Sequence, residues 1–156
     1  MKARTSIVTL VILFAGLMVC FAAAANPTLG TWKLNEAKSK LSPGMPKNTT
    51  VVYTAAGENI KGTIEGVDGE GKPTHNEWTG KFDGKDYPVT GDPNSDTRAI
   101  KQIDDHHFDL TVKKGGKVTM TGKAVISADG KSRTVTVSGT NAAGKKVEST
   151  SVYDKQ

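Results

Sequence analysis

The chain is poor in the residues that carry most protein chemistry: one cysteine, three histidines, and aromatics at only 6% of its 156 residues. Cys20 lies inside the apolar N-terminal run, so everything after it lacks a thiol, a disulfide staple and any thiolate ligand for zinc. The histidines are His75 and the adjacent pair His106 and His107. Neighbours on a strand face opposite sides, so the pair is a poor chelate, and the run Asp104-Asp105-His106-His107 reads as a solvated hairpin loop. No nucleophile elbow, Ser-His-Asp order or phosphate loop occurs. The glycines from Gly57 to Gly71 lack the strand-to-helix context that phosphate binding needs and read as turns and bulges. No catalytic residues, metal or cofactor are therefore expected.

Long apolar runs are also missing, with one exception. Lys2 and Arg4 precede an apolar stretch from Ile7 to Phe21, and Ala22 to Ala25 supply small residues before Asn26. This is the three-part layout of a secretory signal. Residues 1–25 are expected to be a cleaved signal peptide, with the protein exported to the periplasm or extracellular space of a bacterium and not stably inserted in a membrane. Lipidation at Cys20 is disfavoured, because Leu17-Met18-Val19 puts bulky valine where lipoprotein signals have Gly or Ala.

Without that segment the composition changes: about 28% of residues 26–156 are hydrophobic, against 36% for the whole chain. One domain of this length folds alone, but it must bury few large side chains and many small or hydroxylated ones. The formal charge falls from +5 to about +3. Lys113-Lys114-Gly115-Gly116-Lys117 and Lys145-Lys146 place lysines at turn tips, where they guard edges against aggregation. No aromatic and basic interleaving appears, so no nucleic-acid partner is expected.

Turn signals recur at Asp68-Gly69, Asp83-Gly84, 91–94, Asp104-Asp105, Gly115-Gly116, Asp129-Gly130 and 141–144, with Thr, Val and Ile rich runs between them. This is the punctuation of an antiparallel meander. No long segment shows a 3.6 period; Asn35 is placed to cap one short turn through Glu36 to Leu41, before Pro43-Gly44 stops it. The expected fold is all-β: a single barrel domain over 26–156 with about eight to ten strands. Parity assigns inner faces: Gly30, Trp32 and Leu34; Trp78, Gly80 and Phe82; Phe108, Leu110 and Val112; Val118, Met120, Gly122, Ala124 and Ile126. The segment 97–103 stays unassigned, since Ala99 and Ile103 take one face and Ile100 the other.

Gly30-Thr31-Trp32-Lys33-Leu34 after the signal, and Val152-Tyr153-Asp154-Lys155 at the end, resemble the opening and closing strands of the calycin superfamily of lipocalins and fatty-acid-binding proteins. The resemblance implies an up-and-down barrel whose base is closed by Gly30, Trp32 and Lys155, the lysine lying over the tryptophan. It also implies a monomeric, non-enzymatic protein with a small, largely apolar or lipid-like ligand inside. Parity then supplies Trp78, Phe82, Phe108, Leu110 and Met120 as cavity lining, with Tyr153, Ser151 and Arg133 as polar anchors. Where fatty-acid-binding proteins carry Arg-x-Tyr on the last strand, this chain has Ser151 and Tyr153, so that anion clamp is missing, and the dozen residues between Asn35 and Asn48 leave no room for a helical lid. Arg133 shares parity with Val135 and Val137 and is a candidate inward cation, although a mouth or surface position at a hairpin end is the simpler reading. The alternative function is a filled barrel whose surface engages a protein or the cell envelope, as protease-inhibitor-like barrels do.

Overall fold

A computed structural model of the chain describes residues 26–141 and 143–156. The expected signal segment, with Cys20, lies outside the described residues. Ten strands follow in order: β1 (Gly30–Leu34), β2 (Lys47–Ala56), β3 (Asn59–Val67), β4 (Pro73–Gly80), β5 (Tyr87–Thr90), β6 (Thr97–Gln102), β7 (His107–Lys114), β8 (Lys117–Ile126), β9 (Ser132–Thr140) and β10 (Lys146–Lys155). Each pairs antiparallel with the next, and β1 also pairs with β10, so the sheet closes into an all-β up-and-down barrel with ten strands. Among the described residues closure leaves no terminal edge strand, and the pairing is thinnest at β5, which meets β4 and β6 at two register positions each.

The turn residues act through their side chains. Asp68 accepts the backbone N–H groups of Glu70 and Lys72, Asp129 that of Lys131, and Asn141 those of Ala143 and Lys145. Short polar side chains that bond their own backbone two residues on are what fold a chain back on itself. Asn35 similarly accepts Lys38 N–H at 3.2 Å and caps a 3-10 turn, Glu36–Lys38. This turn is shorter than the expected run to Leu41, because Lys40 exchanges two 2.8 Å backbone bonds with Thr150 of β10 and so is held extended.

Two stretches of the sheet depart from the sequence reading. The unassigned segment 97–103 contains a regular strand, β6; its parity was unreadable because Ala99 and Ile100, on opposite faces, are both buried. Phe82 is not a strand residue: β4 ends at Gly80, and Phe82 enters the core from the β4–β5 connection. Gly80 is where that connection folds back, since a Cβ there would sit 2.4 Å from the ring of Tyr87.

One end of the barrel is closed by the segment before β1. Leu29 N–H donates to Asn26 O, turning residues 26–29 inward, and Trp32 Nε1 donates to Thr28 O at 2.9 Å. Trp32 is wholly buried. Lys155 lies opposite it in the β1–β10 pairing, with Nζ 5.0 Å from the indole centroid and bonded to Pro27 O at 2.9 Å. Gly30 has a φ of 121° and a Cβ there would come within 2.9 Å of Lys155 Cε, so the position needs glycine for both its backbone and its space. Trp32→Ala should destabilise the protein by about 3 to 5 kcal/mol, the cost of truncating a buried aromatic; urea melts of the two proteins at one pH check this, and an unchanged midpoint would contradict it.

Candidate ligand-binding lumen

The residues that face inward leave space. Ala124 of β8 and Ser151 of β10 face this space with small side chains, Ala124 opposite Phe108 of β7 and Ser151 opposite Val135 of β9. The result is a cavity of about 790 Å³ running from the floor formed near Thr28 and Ile126 to a mouth at the other end. The mouth is framed by Gly44 and Pro46 of the β1–β2 connection, the β3–β4 turn at 68–70, the β5–β6 turn at 92–94 and the β7–β8 turn beside Lys114 and Lys117.

Of the residues expected to line it, Phe82, Phe108, Leu110, Met120, Arg133, Ser151 and Tyr153 do so. Trp78 does not. It is 1% exposed, stacked on Phe82 with centroids 5.9 Å apart, edge-on to Tyr87, and its Nε1 donates to Arg98 O at 3.2 Å. Its inward parity is right, but Phe82 stands between it and the open space. Gly30, Trp32 and Lys155 lie at the closed end and are not lining residues. Val118 reaches only the rim and is 56% exposed, because a register shift between Val112 and Lys113 takes the end of β8 out of the core pattern.

The aromatic side chains gather on one side. Tyr53 meets Phe82 edge-on at 6.2 Å, and Phe82 meets Phe108 edge-on at 5.4 Å, so with Trp78 they form a continuous cluster against the lumen. The polar groups are placed against this cluster. Arg133 of β9 is directed inward, not to the mouth or the surface: its guanidinium lies 5.2 Å from the centroid of the Tyr53 ring, across the lumen on β2, and Nη2 donates to Tyr53 Oη at 3.5 Å. Tyr153 Oη donates to Asn48 O at 3.2 Å.

A second inward arginine comes from the strand whose parity could not be read. Arg98 of β6 lines the cavity, donates from Nη2 to Asn76 Oδ1 at 3.3 Å and stands 3.9 Å from Asp92 in the mouth. Burial pulls the guanidinium pKa down; Tyr53 and Asp92 oppose this, and the nearby Arg133 adds to it. Sequence reading missed Arg98, Tyr53 and Asn76. The alternation Arg98, Ile100, Gln102 was available, but the outward Ala99 masked it; Val51 and Tyr53 likewise share the inner face of β2.

The three carboxylates among the lining residues, Asp68, Glu70 and Asp92, all belong to mouth turns. Asp68 is held below the usual carboxylate range chiefly by the backbone N–H of Lys72, and Asp92 accepts Asn94 N–H and Ser95 Oγ. Each of these two is engaged in shaping its own turn. Two of the three histidines are on the outside: His75 pairs with Glu65 at 2.5 Å and His107 with Asp104 at 2.8 Å, both solvent-exposed, while His106 is half-buried.

A closed antiparallel ten-stranded barrel can enclose open space at its axis, as this one does. No family model matches the chain, and no curated protein matches it. Among solved structures it is similar to lobster apocrustacyanin A1, with a TM-score of 0.39 and 13% identity, covering 85% of this chain and 63% of that one. The chain thus spans less than two thirds of that protein's length, and it is the observed strand closure that establishes the fold class.

Burial raises the Tyr153 phenol above its ordinary 10.0, with Arg133 opposing. An acid whose folded pKa is raised is favoured in its neutral form by the fold, so its contribution is complete below pH 10.0 and is lost as pH rises past that value. Tyr153→Phe should therefore cost about 0.5 to 1.5 kcal/mol at pH 8, from the lost bond to Asn48, and the gap to wild type should narrow above pH 10.0. Urea melts on both sides of that pH check this; a gap independent of pH would contradict it.

Proposed function

We propose that this barrel is an exported, non-catalytic, monomeric carrier that holds one small, largely apolar molecule in its lumen. The observation that carries the reading is the cavity itself. At about 790 Å³ it falls in the range of small-molecule sites, and it combines an apolar lining with a few convergent polar groups, as such sites do. A filled barrel acting only through its surface would have those side chains in contact across the axis, which does not fit an interior of that size.

The engagement of the candidate acid and base groups supports the non-catalytic reading. Asp68 and Asp92 are used in turns, and the two paired histidines, His75 and His107, sit on the outer surface away from the lumen. Export follows from the charged start, apolar run and alanine cluster of residues 1–25; intact-mass measurement of protein from a periplasmic or secreted fraction should find a chain beginning within a residue or two of Asn26.

The neutral dye N-phenyl-1-naphthylamine tests the lumen directly. It should bind the native protein at one site with a blue-shifted emission. Ala124, buried in the wall, faces the lumen between β7 and β9. Ala124→Phe should abolish binding and leave the denaturation midpoint nearly unchanged, since the ring enters open space. In a filled core the same change would cost about 1 to 3 kcal/mol and there would be no dye signal to lose.

A further inference from the structure

We infer that the lumen takes a neutral carboxamide: a corner formed by Asn76, Arg98 and Asp92 offers the donors and the acceptor that one uncharged amide group needs, on a ligand whose body is otherwise apolar. The inference rests on the carrier reading and names the polar group of its ligand.

Three elements assemble the corner. Asn76 comes from β4, Arg98 from β6 and Asp92 from the turn between β5 and β6, and all three line the cavity. Gly91 brings that turn close: a Cβ there would sit 2.4 Å from His75 O and 3.4 Å from Asn76 Cα, so the chain leading into Asp92 lies directly against β4. Charge balances locally, because Asp92 Oδ2 stands 3.9 Å from the Arg98 guanidinium. Asn76 is 4% exposed, and Arg98 Nη2 donates to its Oδ1 at 3.3 Å. Arginine donates and never accepts, so the amide atom facing it is the oxygen and Nδ2 turns the other way. That nitrogen has no hydrogen-bond partner among the described residues. In a buried side chain such an unpaired donor is costly. Asp92 keeps capacity as well: its Oδ1 accepts Asn94 N–H and its Oδ2 accepts Ser95 Oγ, which leaves a lone pair on each oxygen. Unpaired donors therefore stand beside an acceptor with no net charge between them. A carboxamide matches both sides, its oxygen accepting from Asn76 Nδ2 while its N–H donates to Asp92. A ketone meets only the first demand, and a carboxylate sets a second anion beside Asp92 and brings no donor for it. Arg133 stays outside the corner, lying over the Tyr53 ring and donating to its hydroxyl. The apolar body of the ligand rests against Phe82 and Phe108, which also face the cavity.

Decanamide, undecan-2-one and decanoate share one chain and differ in what the carbonyl carbon carries: an amino group, a methyl group or an anionic oxygen. They are compared as competitors of bound N-phenyl-1-naphthylamine at pH 7.5, the two neutral ones each relative to its octanol–water partition. On that scale decanamide should bind roughly tenfold tighter than undecan-2-one, the worth of one hydrogen bond to a charged acceptor. It should also bind more tightly than decanoate. Asn76→Asp keeps the shape of the side chain and the acceptor for Arg98 but removes the unpaired donor. It should weaken decanamide about tenfold, leave the dye within about twofold, and keep the far-ultraviolet circular dichroism of the barrel. Amide and ketone affinities that simply follow partition overturn the carboxamide inference and leave the carrier reading standing. Tighter binding of decanoate than of decanamide overturns it as well, because the corner would then act as a cation. A decanamide preference unmoved by Asn76→Asp overturns it too, since other groups would hold the head. Should that variant fold poorly, Asn76→Ser takes its place, and the amide-to-ketone comparison on wild type decides in either case. Failure of the dye and of all three competitors to bind wild type overturns the carrier reading, and the inference with it.

Discussion

The barrel depends on a short seam. β1 is only five residues long, yet it must pair with both β2 and β10 to close the sheet, and its contact with β10 extends over three register positions from Trp32 opposite Lys155 to Leu34 opposite Tyr153. Hydrogen bonds over so few residues give little net stabilisation on their own. What fixes the seam is the packing beneath it. The indole of Trp32 is fully enclosed, tied to Thr28 O, and covered by the Lys155 side chain, which itself reaches back to Pro27. Beyond Leu34 the 3-10 turn continues the clasp, with Asn35 Nδ2 donating to Asp154 Oδ2 at 2.6 Å and Ser39 Oγ accepting Val152 N–H at 2.9 Å. With Cys20 as its sole cysteine, the chain has no intramolecular disulfide to share this load.

The lumen follows from the same economy of large side chains. With about 28% hydrophobic residues after position 25, the chain cannot fill the interior of ten strands. It concentrates its bulk at one end, in Trp32, Trp78, Phe82 and Phe108, and leaves small side chains facing the space at Ala124 of β8 and Ser151 of β10. Interiors close-pack where they can, so a cavity bounded by small residues on one side and an aromatic cluster on the other is built into the side-chain pattern. The polar groups are then a necessity as well as an anchor. Arg98, Arg133, Tyr53 and Asn76 give the lumen hydrogen-bonding groups beside its apolar wall.

Most of the fold was legible in the sequence because its turns are written in Asp-Gly pairs and in tetrads of Gly, Asp, Pro and Asn, and its β7 and β8 strands alternate cleanly. β6 was not, and the reason is local: Ala99 is small enough to be covered on the outer face, so it reads as a second core position beside Ile100 and erases the period. That single ambiguity hid Arg98. Arg133 was visible, but its place one residue into β9 favoured a hairpin-end reading; only the closure of the barrel shows that it points across to Tyr53, three strands away around the sheet. Trp78 illustrates the opposite limit. Parity gives the face of a side chain and not its depth, and Phe82, arriving from a connection outside any strand, takes the lumen-facing place in front of it.

Native mass spectrometry of the protein isolated from its own source shows whether the closed barrel is a container, without assuming a ligand. A folded population carrying a single small adduct, lost on denaturation, is the result expected from an open lumen. Bare chain alone, from a preparation that also takes up no N-phenyl-1-naphthylamine, would contradict the account.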